Sequence, residues 1–136
     1  MTTPPLFWNM DFASFRHHRA LLAKTGSLAC RVISDSMEPV LRVGEQMQIE
    51  PVGDLSSIKR FDIVVVHVGD RLLCHFVWHI NRVGSRTTVS TRSLKDFLHN
   101  DIPMDLDNIL GKVSIRKIPM HTRAKIIVQN FIRKSA

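Results

Sequence analysis

Cysteine is scarce in this 136-residue sequence: Cys30 and Cys74 are the only two, with no CxxC and no paired spacing. That excludes a disulfide framework and leaves two thiols most simply read as reduced core residues. Long apolar runs are missing as well. None exceeds four residues, at 20–23 and 63–66, against the roughly 20 needed to cross a bilayer, so an integral membrane protein is not expected. Residues 1–10 hold prolines and a Phe7-Trp8 pair but no basic segment followed by an apolar stretch, which argues against a secretory signal. There is no internal repeat, low-complexity tract or linker, and 136 residues suit one domain with one core.

Hydrophobic residues make up 44% of the chain and charged residues 23%, an ordinary globular balance. The formal charge of +7 is not ordinary and favours anionic partners such as nucleic acid, acidic lipid headgroups or acidic protein segments. The expected location is the cytoplasm, with peripheral contact at the inner face of a membrane as an extension of that reading.

The hydrophobic period changes along the chain. Over 11–25 it is helical: Asp11 can cap, Phe12, Phe15, Leu22 and Ala23 gather on one side, and Gly26 ends the helix. Strands are then expected over 30–33, 47–49, 63–68, 72–82, 87–91 and 109–118. Gly69-Asp70 falls at a hairpin tip, although the more usual order there is Asp-Gly. Helical spacing returns over about 120–134, with Ile127, Val128, Phe131 and Ile132 apolar and Arg123, Lys125, Arg133 and Lys134 basic. The expected architecture is a mainly β core over about 26–118 between short N- and C-terminal helices.

The segment Ser34-Asp35-Ser36-Met37-Glu38-Pro39-Val40-Leu41 ends a strand and presents a serine in a turn, with proline preventing continuation as a helix. A nucleophilic hydroxyl needs such a mount, rigid and close to backbone N–H groups that can receive an oxyanion. Further on come Gly44-Glu45, then Phe61-Asp62-Ile63-Val64-Val65, then Leu73-Cys74-His75-Phe76-Val77, and finally Ile109-Leu110-Gly111-Lys112-Val113. In order and spacing these segments resemble the signal peptidase/LexA-like serine peptidase superfamily over residues 26–115. The tetrapeptide Ser36-Met37-Glu38-Pro39 looks most like the branch whose base is histidine rather than lysine.

That resemblance implies a LexA/signal-peptidase-like β-fold with Ser36 as nucleophile and His75 as general base. The Ser36 amide and the Ser34 hydroxyl are the implied oxyanion donors, and Met37 and Pro39 the implied substrate contacts. Because Ser93-Leu94 replaces the usual Gly-Asp, the implied third member is Asp101, failing that Asp96, or is absent. Asp35, Phe61 and Phe76 also depart from the pattern, standing where glycine, glycine and arginine are usual. A carboxylate at Asp35 is expected to oppose an oxyanion formed next to it.

Other groupings carry less. His75 and His79 lie about 13 Å apart along a strand, too far for one ion, so no metal and no cofactor are expected. A nucleic-acid partner is disfavoured because one helix, and no helix-turn-helix pair, precedes Ser36. The basic C-terminal helix suggests contact with an anionic membrane surface, but its apolar residues are expected to pack Ile127 and Phe131 on the β core. Exposure of Phe7 and Trp8 would favour the membrane. The expected function is a serine endopeptidase acting on an extended protein or peptide segment; the alternative is a catalytically weakened peptide-binding module on the same fold.

Overall fold

The computed structural model describes residues 9–53 and 57–135. They form a mainly β fold: one seven-stranded antiparallel sheet with a helix at either end of the chain. Helix α1 (Phe12–Thr25) is followed by β1 (Leu28–Arg31), β2 (Gln46–Glu50), β3 (Ile63–Val68), β4 (Arg71–Val83), β5 (Arg86–Arg92), β6 (Met104–Asp105), β7 (Ile109–Val113) and α2 (Met120–Ser135). The strand order is β1-β2-β7-β3-β4-β5-β6. No described helix is long and apolar enough to cross a membrane.

Helix α1 begins where its sequence asks. Asp11 accepts a hydrogen bond from the Ser14 amide at 2.7 Å, and Gly26 closes the helix in the left-handed region at φ 82°. Its buried side chains are Phe15 and Leu22, each worth about 1.5–3 kcal/mol in apolar burial. Phe12 and Ala23, expected on the same face, are exposed instead, because the face pressed on the sheet is centred on the 15/22 line.

The strands β3 and β4 form the centre. All of Ile63–His67 is buried because both faces of β3 are covered. Ile63 and Val65 join the larger core with Phe15, Leu22, Leu72, Cys74 and Phe76, whereas Val64 and Val66 join a smaller one with Val77, Val89 and Ile109. Gly69-Asp70 closes the β3–β4 hairpin between the paired Val68 and Arg71. Gly69 has φ 60°, and Asp70 is not among the positive-φ residues. A turn with its left-handed residue first is of the II′ kind, which places glycine ahead of aspartate. Gly111 on β7 is required for a different reason: a Cβ there would lie 2.8 Å from both the Glu50 carbonyl oxygen and Leu22 Cδ2.

Some boundaries differ from expectation. Strand β1 starts two residues earlier than its pattern suggests and ends at Arg31, after which Val32 exchanges hydrogen bonds with the Gly44-Glu45 turn. Strand β7 stops at Val113 rather than running to Ile118, because Ile115, Arg116 and Lys117 leave the sheet and are exposed. The largest correction concerns α2. Ile127 and Phe131 do not pack on the core; Ile126 does. The helix phase is set by polar anchors on one line. Arg123 donates to the Ile118 carbonyl at 2.7 Å, Asn130 receives Arg92 at 3.3 Å, and Arg133 donates to the Leu98 carbonyl at 2.8 Å. Residues 123, 126, 130 and 133 follow helical spacing, so Ile127 and Phe131 turn outward. Phe7 and Trp8 lie outside the described residues.

Candidate active site

The turn bearing Ser36 is held from below by its apolar neighbours. Met37, Val40 and Leu41 are buried in the larger core, and the Leu41 amide bonds back to the Met37 carbonyl at 3.0 Å. The Glu38-Pro39 peptide is cis. Met37 is only 1% exposed, so it has almost no surface to offer a substrate and serves to anchor the turn; Pro39 is exposed.

Side chains alternate along β4. Leu72, Cys74, Phe76 and Trp78 enter the larger core, while Leu73 and Val77 enter the smaller one. His75 falls between Leu73 and Val77 and so faces the smaller core, paired across β3 with Val64. Its imidazole is buried except for about a tenth of its side chain. His75 Nδ1 donates to Asp101 Oδ2 at 2.6 Å, and the Thr91 hydroxyl donates to the same oxygen at 2.8 Å. The Asp101 amide in turn bonds to the Thr91 carbonyl at 2.8 Å, so the carboxylate is fixed to β5 from both ends. Burial pushes the Asp101 carboxyl up, but the hydrogen bonds from His75 and Thr91 outweigh it and hold the group below its ordinary value. An ionised Asp101 keeps the proton of a neutral ring on Nδ1, which leaves Nε2 as the acceptor nitrogen.

Ser36 approaches β4 from its β5 side. Val77 exchanges its backbone hydrogen bonds with Phe61 and Asp62, on the β3 side, so the backbone groups of Cys74 point the opposite way. Strand β5 ends its pairing at Phe76↔Arg92, and beyond that point Ser36 Oγ lies 3.4 Å from the Cys74 carbonyl oxygen. Ser34 Oγ is 3.0 Å from Ser36 Oγ and 3.4 Å from the Ser36 amide. Among the described residues no hydrogen bond joins Ser36 Oγ to His75. The hydroxyl is one residue along the strand from the imidazole, with its own proton directed to Ser34 or to the Cys74 carbonyl.

The loop from Ser93 to Asn100 closes the other side. The Leu94 amide donates to the Ser36 carbonyl at 2.9 Å, and the Lys95 amide reaches the same oxygen at 3.4 Å. Lys95 Nζ is 2.6 Å from Asp35 Oδ2, and this bond holds the Asp35 carboxyl below its ordinary value. The negative charge expected to oppose an oxyanion therefore has a cation against it. Asp96 pairs with His99 and takes no part at His75, so Asp101 alone occupies the position for which both were candidates.

Sequence reasoning missed Thr91 and Lys95. Thr91 shares the period-two face of Val89 on β5, so an inward hydroxyl there could have been found from the pattern. Nothing local marks Lys95, which lies 60 residues from its partner. Phe61 explains a departure. It holds φ 76°, a left-handed conformation costly for a bulky side chain, and its ring is buried against Phe76 at 5.9 Å and Trp78 at 6.0 Å. Glycine would adopt that backbone without strain; phenylalanine accepts it in exchange for aromatic burial.

Cys30 and Cys74 are buried free thiols, and burial pushes the Cys30 thiol up to about 12 and the Cys74 thiol up as well. Neither is a nucleophile at neutral pH. Among the described residues no group of three His, Cys, Asp or Glu is arranged to hold a metal ion. No protein-family model, curated protein or solved structure matches this chain.

Proposed function

We propose that the chain is a serine endopeptidase of the signal peptidase/LexA type, cutting an extended protein segment with Ser36, His75 and Asp101. The observation that carries this reading is the 2.6 Å bond from His75 Nδ1 to Asp101 Oδ2, one residue along β4 from the carbonyl that touches Ser36 Oγ. A half-buried, ionised carboxylate that fixes the imidazole and leaves Nε2 as the acceptor is what general-base catalysis needs. The sequence pattern from Ser36 to Lys112 supports the same family.

In this reading a rotation of the Ser36 side chain brings Oγ to His75 Nε2, which takes its proton as Oγ bonds to the scissile carbonyl carbon. The oxyanion is received by the Ser36 amide, which in the free chain donates to Ser34 Oγ, and by the Ser34 hydroxyl, which lies against Ser36 Oγ; both turn to the substrate. Collapse breaks the C–N bond, His75 returns the proton to the departing amine, and water then hydrolyses the ester. The substrate strand has a place to lie. Among the described residues no strand pairs with the β5-side edge of β4 between the Asn9↔Arg71 bridge and Phe76↔Arg92. Extended peptides add to such edges through backbone hydrogen bonds.

A second reading, a peptide-binding module without catalysis, is favoured by one observation: Ser36 Oγ bonds to Ser34 and Cys74 rather than to His75. Labelling with a serine-reactive acylating probe separates the two. Labelling that disappears in Ser36→Ala and in His75→Ala supports the peptidase; labelling no greater than in Ser36→Ala leaves the binding module.

A further inference from the structure

The excess positive charge of this chain is confined to one end. From Asn108 to Ala136 there are seven Lys or Arg and no Asp or Glu, leaving twelve basic against twelve acidic residues in 1–107. The same end carries α2, whose outward side is apolar apart from His121 in its first turn. Met120, Ile127, Val128, Phe131 and Ile132 are between 47% and 75% exposed, while Ile126 is the one apolar side chain of the helix in the core. At 100° per residue those five side chains span about 140° of the helix circumference, opposite the line of Arg123, Ile126 and Asn130 that faces the body. Lys125 borders this face and is exposed.

We propose that α2 is a docking face for an anionic lipid surface, lying in the plane of the interface with its apolar arc among the acyl chains and Lys125, at the edge of that arc, among the headgroups. An outward apolar arc on a purely basic segment fits that occupant. A second copy of the chain is a poor fit, since it would bring two like-charged ends together, with Lys117, Lys125 and Arg133 exposed on each, even with Lys112 and Arg116 paired to Glu50 and Glu45. The helix is tied through Arg92–Asn130 and through Arg133 to the Leu98 carbonyl, and so to the loop that ends at Asp101. A chain docked in this way carries the Ser36–His75 groove with it to substrates held at the same surface.

The experiment is flotation of the full chain with phosphatidylcholine vesicles, with and without phosphatidylglycerol, beside a Val128→Glu/Ile132→Glu variant. Both positions point away from the core. The expected result is partition to the anionic vesicles only, reduced at least about tenfold in the variant. Raised salt should weaken the wild-type partition without abolishing it, because part of it is apolar. No uptake by anionic vesicles, or equal uptake by the variant, overturns the proposal. So does a concentration-dependent dimer that the variant abolishes without any vesicle uptake, which would assign the face to a second copy. An environment-sensitive fluorophore on Ile132→Cys provides a readout that does not need the double variant to fold. Cys30 and Cys74 are buried and do not compete for the label. Its emission should move to the blue with anionic vesicles, whereas a label on Asn81→Cys, at the far end of β4, should not respond; no response at Ile132 overturns the proposal.

Discussion

His67 and His75 are both buried imidazoles at the sheet's centre, one on β3 and one on β4, and they face opposite sides of it. His67 lies on the side of α1. Its ring stacks on Phe15 with centroids 4.7 Å apart, and Nε2 donates to the Met10 carbonyl at 2.7 Å. His75 lies on the side of the smaller core, where Nδ1 donates to a carboxylate. The first ring is spent on packing and on tying residue 10 to the sheet. The second has a charged partner at one nitrogen and an acceptor nitrogen to spare, beside a hydroxyl. Burial is common to both, and the partner is what separates a structural histidine from a candidate base.

Exchanging the two roles by mutation gives the largest expected effect. His75→Ala should abolish labelling of Ser36 by an acylating probe. His67→Phe should leave labelling intact and instead lower stability by about 1–3 kcal/mol, because the buried Met10 carbonyl loses its donor. Thermal unfolding and labelling measured on both variants would break the comparison if the effects were reversed.

Asp101→Asn is next. An amide cannot hold the Nδ1-protonated ring as a carboxylate does, and labelling should slow by about 10³- to 10⁴-fold with the fold preserved. The pH dependence follows from the same group. Its carboxyl is held below the ordinary value of about 3.9, so its stabilising bond is fully present above that pH and is lost as pH falls through the lower folded value. Acid unfolding of Asp101→Asn should therefore begin from a lower stability and show a shallower slope below about pH 4. An unchanged slope would mean that Asp101 is not the carboxylate that His75 stabilises.

Thr91→Val should act in the same direction and less. It removes one of the two donors to Asp101 Oδ2, about 1 kcal/mol, for a roughly fivefold slower labelling rate. The smallest effect belongs to Lys95→Ala. Asp35 and Lys95 are both exposed, so unmasking the carboxylate should slow labelling only about two- to fivefold, and added salt should shrink the difference.

Local chemistry in the sequence was enough for much of this. Asp11 and Gly26 bracket α1 as their side-chain and backbone preferences require, and the β-branched run Ile63–Val68 forms the strand it suggests. Asp101 could be named as His75's partner only through family resemblance, because 26 residues and a loop separate them. The phase of α2 departs from its hydropathy pattern for a physical reason. Hydropathy marks which side chains are apolar, but Arg123, Asn130 and Arg133 choose the inward face by bonding to Ile118, Arg92 and Leu98. Polar anchors of that kind leave no periodic apolar signal.

Both helices, the six longer strands, the hairpin at Gly69-Asp70 and the serine turn are legible in the sequence, because each follows from interactions within a few residues. The two-residue strand β6, which forms only by pairing with β5, and the burial of both thiols come from the assembled fold. It brought Asp101 and Thr91 to His75, set Lys95 against Asp35, and turned the apolar arc of α2 to the outside. Those contacts join residues 10 to 60 positions apart, or depend on which of two helix faces finds better partners. Periodicity and propensity register neighbours along the chain, whereas such pairings exist only once the sheet has assembled.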